Sequence, residues 1–399
     1  MPAGEKTQIM LLVPMLDQGG LERVCAYTAK LLNEEYEVHL AVFNAAGMIY
    51  DISGVDMTDL KLGAVPGRLG KLVNVAKRVM RVRALKKKFK VSLSYSFGPT
   101  ANIVNVLTGG SDVKWAGIRG YGALEAKSVM RLICRKADRV VACTKVMENE
   151  ICAQFKPRLT AAVYNPCNLA EIRQLSLNEP SEDIRDFLKK GGKTVVSMGR
   201  AHDVKGFWHL LKSLYLAKKQ INDLKLVIIG DGDYSEYKRL SEQLGIKNDV
   251  LFTGLQKNPF AILARADIYV LTSQSEGFPN ALIEALASGL ACISVNCKTG
   301  PAEILHESYK ECADQGRIYR CDYGILTPVF SGEKDLPPQN ITPEEQIFAD
   351  ELANLASDSA LLEHYRDLAR RRASDFGAEA YHQNIIGLIQ EDISGRALI

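Results

Sequence analysis

Short aliphatic runs separated by helical patterns recur along this chain, and that alternation constrains its fold more than any other property. In the first half, strands are predicted at Ile9–Val13, Glu37–Phe43, Val91–Ser94, Trp115–Ile118, Arg139–Cys143 and Ala161–Val163. In the second half they are predicted at Thr194–Met198, Lys225–Ile229, Val250–Thr253, Ile268–Leu271 and Ala291–Val295. Such alternation argues for α/β layers with parallel sheets. A length of 399 residues and a hydrophobic content of 47% suit two or three domains with full cores. Between the halves, Asn165 to Lys193 is polar and carries Asn178-Glu179-Pro180-Ser181 and Gly191-Gly192, which reads as a linker with a lead-in helix. Two doubly wound domains facing a cleft would place a ligand at the carboxyl ends of both sheets. Pro328 to Pro343 is predicted to form loops, and the last helix falls near Ala378–Ile393.

Charge and cysteine usage narrow the class. A net charge of +3 excludes a polyelectrolyte binder as a whole. Nine scattered cysteines with no C-x-x-C suit a reducing cytosol rather than a disulfide framework. The apolar run Ile9 to Leu16 is broken by Pro14, is too short to span a bilayer and lacks a signal-peptide cleavage pattern. The expected location is therefore the cytoplasm.

The most informative stretch runs from Ser275 to Gly289. A buried strand at Ala266–Thr272 leads into it, Gly277 and Pro279 mark a turn, and Asn280 can cap a helix over Ala281–Ser288 that Gly289 ends. The start of that helix suits a phosphate, because unpaired N–H groups and a positive dipole end meet there. Glu276 precedes the phosphate seat and Glu284 lies one turn inside the helix. The two carboxylates can thus hold hydroxyls on different sides of one phosphate, as a nucleotide with a hexose and a ribose requires.

Glu276 and Glu284, with Gly277-Phe278-Pro279-Asn280 between them, resemble the E-x7-E signature of the retaining glycosyltransferases of family 4. The resemblance covers the whole chain and is strongest from Gly199 to Ile304. It implies a GT-B fold, in which two Rossmann-like doubly wound domains face a central cleft and a C-terminal helix crosses back to the first. Residues 1–167 with about 380–399 would then be the acceptor-side domain, and residues 168–379 the donor domain.

Further elements in the second half fit the same resemblance. Ser197-Met198-Gly199-Arg200 to Lys205-Gly206-Phe207 follows a strand and is similar to the family's Gly-Arg…Lys-Gly element, whose two cations hold the pyrophosphate. Arg200 and Lys205 could stabilise a departing diphosphate most in the transition state. Gly230-Asp231-Gly232-Asp233 lacks the third glycine of a dinucleotide fingerprint, since Ser235 stands there. Family-4 chains carry this turn without using it for metal, so neither a metal nor another cofactor is expected. Leu255 stands where relatives place backbone against the nucleotide base. Asn296 to Ile304 resembles the element after the E-x7-E helix and reads as mainly structural.

In the first half, Gly19 and Gly20 follow strand one, where relatives carry Gly-Gly-Ala-Glu-Arg at the lower wall of the donor site. Arg119 stands where many family-4 enzymes have a histidine, and could orient the donor or an anionic acceptor. Tyr164-Asn165-Pro166-Cys167-Asn168 resembles the family's inter-domain junction, with Asn168 in place of the usual acid and Asn165 able to reach the cleft. Residues 68–90 hold ten Lys/Arg and no acid, interleaved with Leu69, Leu72, Val73, Val75, Ala76, Val79, Met80, Val82, Leu85 and Phe89. A basic amphipathic helix of this kind suits an anionic membrane surface, while its apolar stripe could equally face its own sheet. No nucleic-acid motif accompanies the charge.

Together these features imply transfer of a hexose or N-acetylhexosamine, with retention, from a nucleotide donor. UDP-sugar is the donor that the resemblance favours, and a glycan or lipid-linked acceptor in cell-surface polysaccharide synthesis is the acceptor. Domain closure would complete the site. A GT-B sugar-nucleotide epimerase and a non-catalytic sugar-nucleotide sensor are the alternatives.

Overall fold

Among the described residues, fourteen strands divide equally between two sheets, each with the same crossover in its strand order. The computed structural model describes residues 6–17, 19–330 and 332–397; Gln18, next to the first glycine pair, lies outside the described residues. The chain separates into two compact units, residues 1–166 with 378–399 and residues 167–377. Among the described residues, no helix is long and apolar enough to cross a membrane.

The strands of the first unit are β1 (Gln8–Val13), β2 (Glu37–Val42), β3 (Asp56–Asp59), β4 (Leu93–Phe97), β5 (Val113–Ile118), β6 (Arg139–Ala142) and β7 (Thr160–Ala162). They pair in the order β3-β2-β1-β4-β5-β6-β7, all parallel. β1 shows why its sequence is apolar throughout. Ile9, Leu11 and Val13 enter one core, while Met10 and Leu12 enter the core on the other face. A parallel strand covered on both faces requires that continuity.

Two details differ from expectation. β3 carries two aspartates in four residues and no aliphatic run, which an edge position tolerates. β4 begins two residues later than predicted, because Val91 N–H closes the preceding helix on the Lys86 carbonyl and Lys90 turns with φ +53°. The helix Ala378–Ala397 belongs to this unit. Tyr381, Ile385, Ile386 and Ile389 enter its core. Asp392 accepts from Trp115 Nε1 at 2.7 Å and from Arg139 Nε and Nη2 at 2.8 and 2.7 Å.

The helix Arg68–Lys88 meets the core with only part of its apolar series, Val75, Val79, Val82, Leu85 and the adjoining Phe89. Val82 is buried with Asn74, Arg78 and Lys86, whereas Leu69, Leu72, Val73 and Met80 are exposed. The ten-residue apolar series therefore does not meet the sheet as one stripe.

The second unit contains β8 (Lys193–Met198), β9 (Leu224–Ile229), β10 (Val250–Gly254), β11 (Ile268–Leu271), β12 (Ala291–Val295), β13 (Tyr319–Cys321) and β14 (Gly324–Thr327). Their order is β10-β9-β8-β11-β12-β14-β13, with only β13 antiparallel. The β13–β14 hairpin was not predicted; each of its strands is three or four residues long. Instead of one lead-in helix there are two, Leu169–Ser176 and Glu182–Lys189. Asn168 caps the first, its Oδ1 accepting from Glu171 N–H at 3.2 Å. Cys167 N–H donates to the Phe376 carbonyl at 2.9 Å, which ties the beginning of this unit to its end.

Candidate functional site

In a sheet of this order, ligands bind beyond the carboxyl ends of the strands that flank the crossover. In the second unit those strands are β8 and β11, and the predicted site residues leave their ends. Gly199 and Arg200 follow β8, with Arg200 exposed; Glu276 follows β11. Gly206 takes φ +64°, and a Cβ there would run into the Thr272 carbonyl. Thr272 Oγ1 donates to the Lys205 carbonyl at 2.8 Å, and Gln274 N–H donates to the Val204 carbonyl at 2.8 Å. The two loops are thus stitched side by side, and Lys205 Nζ comes 2.7 Å from Glu276 Oε1. The methylenes of Lys205 lie across Gly199, where a Cβ would approach them to 3.2 Å.

The loop carrying Glu276 is held from a third strand. Thr299 Oγ1 donates to the Glu276 carbonyl, and a Cβ on Gly300 (φ +98°) would collide with the Pro279 ring. The 296–304 segment therefore fixes the position of Glu276 and Pro279, consistent with a structural role. Phe278 is buried edge-on against Phe376, with ring centroids 5.5 Å apart. The helix spans Asn280–Ser288 and Gly289 ends it with φ +84°. Its cap position is Pro279, which offers no side-chain hydrogen bond, so Asn280 is the first helical residue rather than the cap. Gly277 stays partly exposed ahead of it. Glu284 is buried within this helix. The fully buried Tyr269 lies beneath both glutamates; burial first, and then the charge of Glu276, push its phenol well above the ordinary value. Burial and Glu276 also push the Cys297 thiol up.

The Gly230–Asp233 turn packs against the loop that follows β8. A Cβ at Gly230 would overlap the Gly199 carbonyl, Ala201 N–H donates to the Asp231 carbonyl at 2.8 Å, and Tyr234 OH donates to the Gly199 carbonyl at 2.7 Å. Its carboxylates bond locally, Asp231 to Gly232 N–H and Asp233 to Ser235 N–H. Among the described residues, no group of three His, Cys, Asp or Glu side chains is placed to hold a metal. Leu255 stands exposed beyond Gly254, whose carbonyl accepts from Gly230 N–H at 3.1 Å.

The first unit gathers its own predicted residues at the corresponding edge. Gly19 is extended and Gly20 opens the helix Gly20–Leu32. The Tyr50 phenol donates to the Gly19 carbonyl at 2.9 Å, a contact that no local pattern announces. Arg119 Nη1 donates to Asn165 Oδ1 at 2.8 Å and to the Val163 carbonyl at 3.1 Å, and Nη2 donates to Tyr95 OH. Arg119 and Asn165, singled out separately in the sequence, are one hydrogen-bonded pair. Reasoning from motifs missed the holding roles of Thr272, Tyr95 and Tyr50, and took Thr299 only as part of the structural 296–304 element. Each acts by holding a motif residue, and its position becomes visible only once the strands are ordered.

Comparison with known proteins agrees with this fold. Residues 180–318 match the family described as Glycosyl transferases group 1. An uncharacterized glycosyltransferase of Methanocaldococcus jannaschii is 34% identical over 249 residues, which is 61% of this chain and 61% of that relative's own length. A Campylobacter jejuni protein is 24% identical over 385 residues, 92% of this chain and 94% of the relative. That protein is the N-acetylgalactosamine-N,N'-diacetylbacillosaminyl-diphospho-undecaprenol 4-alpha-N-acetylgalactosaminyltransferase. The solved structure of Anabaena Alr3699/HepE in complex with UDP and glucose superimposes with a TM-score of 0.71 at 18% identity, covering 96% of this chain and all of that one. Residues 180–318 thus form a glycosyl transferases group 1 domain, set in a chain of GT-B fold whose homologues are glycosyltransferases.

Proposed function

We propose that this protein is a retaining glycosyltransferase of family 4 that moves a hexose or N-acetylhexosamine from a nucleotide donor to a glycan or lipid-linked acceptor in cell-surface glycan synthesis. The observation that carries this reading is the meeting of Lys205 and Glu276, 2.7 Å apart, at the crossover edge of the second sheet. Glu284 lies buried in the adjoining helix. The Anabaena structure holds UDP and glucose, and the Campylobacter relative is named for a diphospho-undecaprenol-linked acceptor; both support a UDP-sugar donor and a lipid-linked acceptor here.

In this reading the second unit takes the donor and the first takes the acceptor. Arg200 and Lys205 stabilise the charge that builds on the leaving diphosphate. The helix starting at Asn280 adds N–H groups toward the same phosphate. Glu276 holds hydroxyls of the donor sugar, and Glu284 holds the ribose. Gly277, Phe278 and Pro279 shape the approach to that helix, and backbone at Leu255 meets the base. Gly19 and Gly20 allow close backbone approach to phosphate or sugar, while Arg119 and Asn165 orient the donor or acceptor.

No side chain is assigned as a covalent nucleophile. The bond from the sugar to phosphate breaks as the bond to the acceptor oxygen forms on the same face, and the leaving phosphate takes the acceptor's proton. The protein supplies positioning and charge stabilisation. Two protein cations serve the phosphate, so no metal is given a role.

A thermal-shift screen of the purified protein against UDP-, GDP-, ADP- and dTDP-sugars, with and without EDTA, tests this reading. Stabilisation by one nucleotide series, unaffected by EDTA and lost in Glu284→Ala, is the expected result. Equal stabilisation of Glu284→Ala, or a requirement for added metal, would overturn the assignment of the donor site.

A further inference from the structure

The helix Phe207–Lys218 begins directly after Lys205 and Gly206, and it carries three buried polar side chains, His209, Lys212 and Ser213. Their partners all lie more than a hundred residues further along the chain. His209 Nδ1 is 2.6 Å from Glu345 Oε1, and its ring stacks on Phe330 with centroids 4.3 Å apart. Lys212 Nζ donates to the Asn340 carbonyl at 2.7 Å, and Ser213 Oγ to the Glu345 carbonyl at 3.2 Å. Leu336 and Ile341 pack on the same core. Buried polar groups hold such partners firmly, because losing one leaves a desolvated group unpaired. The segment 332–342 is thereby fastened to the helix that follows Lys205.

From that anchorage the segment reaches both loops of the candidate donor site. Gln274 Nε2 donates to the Gly332 carbonyl at 3.3 Å, while Gln274 N–H donates to the Val204 carbonyl at 2.8 Å. Lys334 Nζ lies 2.9 Å from Asp203 Oδ1, donates to Glu236 Oε2 and stands 5.4 Å from the centre of the Tyr237 ring. Tyr237 OH donates to the same Asp203 oxygen at 3.3 Å. The Lys334 hydrogen bond holds the Asp203 carboxyl below the usual carboxylate range. Asp203 opens the single turn Asp203–Lys205, closed by Gly206 N–H on the Asp203 carbonyl at 2.9 Å. One turn of this kind has too few bonds to fix itself. The partners of Asp203 therefore decide where Lys205 stands. Asp203 and Glu236 are 60 and 55% exposed, so these ion pairs add little to global stability. What they add is position.

We propose that Lys334 is a positioning residue of the donor site: by gripping Asp203 it holds the turn that aims Lys205 at the terminal phosphate of a bound nucleoside diphosphate. The inference rests on the donor-site reading above. The test is isothermal titration of the full chain with UDP, GDP, ADP and dTDP, each beside its monophosphate. One diphosphate is expected to bind, and Lys205→Ala to weaken it about tenfold, the scale of one charge-assisted contact. Lys334→Met should weaken the same diphosphate about fivefold, the scale of coupling between neighbouring groups. It should leave Tm and the monophosphate affinity unchanged, and add nothing in a Lys205→Ala background. A general loosening of the unit would instead weaken monophosphate and diphosphate alike. If Lys205→Ala is impaired while Lys334→Met binds as the parent does, weakens both nucleotides equally, or adds fully to Lys205→Ala, the role of Lys334 is overturned and the donor site stands. If the parent binds no diphosphate, or Lys205→Ala binds it as tightly as the parent, the donor-site reading falls and this inference with it.

Discussion

Lys205 Nζ lies 2.7 Å from Glu276 Oε1, joining the loop after β8 to the loop after β11 with a partly buried ion pair. Each residue is therefore held by the other as well as by its own backbone. Lys205→Ala and Glu276→Ala should each lower turnover by about a hundredfold, the scale of losing one group preorganised for the transition state. Because the two are in contact, the double variant should lose much less than the sum of the single losses. Strictly additive effects on kcat would show that the pair does not act as a unit.

Glu284 sits buried inside the helix, and under the proposed function its loss should act on donor binding rather than on the leaving group. Glu284→Ala should raise the donor Kd about tenfold, the cost of one charge-assisted hydrogen bond. Its kcat at saturating donor should stay within a few-fold of the parent. Isothermal titration with the donor, compared against Glu276→Ala, separates the two roles.

Gly300 combines φ +98° with a site where a Cβ would strike the Pro279 ring. Gly300→Ala should cost roughly 1–3 kcal/mol of stability through that strain. It should also displace the Glu276 loop, so activity at a temperature well below Tm should fall further than the folded fraction explains. An unchanged rate would mean that the loop adjusts without moving Glu276.

Asp392 is the acceptor for both Trp115 and Arg139. Asp392→Ala leaves the Arg139 guanidinium, 4% exposed, with only the mostly exposed Glu391 as a carboxylate. A loss of about 3–5 kcal/mol is expected for breaking such a buried pair. The chain has two tryptophans, and Trp115 lies in the first unit while Trp208 lies in the second. Retaining Trp115 or Trp208 singly should therefore locate the lost stability in the first unit by fluorescence.

Asp112 supplies a dependence on acid. Burial alone would raise its carboxyl, but the Lys86 ammonium and the hydrogen bonds around it hold it below the usual carboxylate range. The unfolded chain consequently takes up this proton at a higher pH than the folded chain does. The stabilisation is present above the unfolded carboxylate value, near 4, and is lost as pH falls through the lower folded value. Thermal melts between pH 6 and pH 3 should show a steeper fall for the parent than for Asp112→Asn. Equal slopes would assign the acid sensitivity elsewhere.

The motif at 275–289 was legible because its chemistry is local: a strand, a turn and a helix place Glu276 and Glu284 without help from distant residues. The inner strands were legible for a related reason, since burial on both faces demands unbroken aliphatic runs such as Ile9–Val13. β3 escaped because an edge strand reading Asp-Met-Thr-Asp carries no such demand. The direction in which Arg68–Lys88 faces was hidden as well. Lys86 is drawn inward by Asn105, Thr108 and Asp112, all of which lie nineteen or more residues further along the chain. The partnership of Arg119 with Asn165 needed the fold too, since β5 brings the first to the sheet edge and the segment after β7 brings the second.

The helix Ala378–Ala397 completes a unit whose other residues precede Cys167. On a ribosome, all of residues 167–377 must be synthesised before that helix emerges, an interval of about ten to forty seconds at ordinary elongation rates. Through that interval Thr28 waits for Tyr381, and Trp115 and Arg139 wait for Asp392. The uninterrupted second unit can finish folding first, although it begins later in the sequence. A nascent chain halted inside it carries a half-covered sheet, a surface open to chaperones and proteases that the finished protein no longer shows.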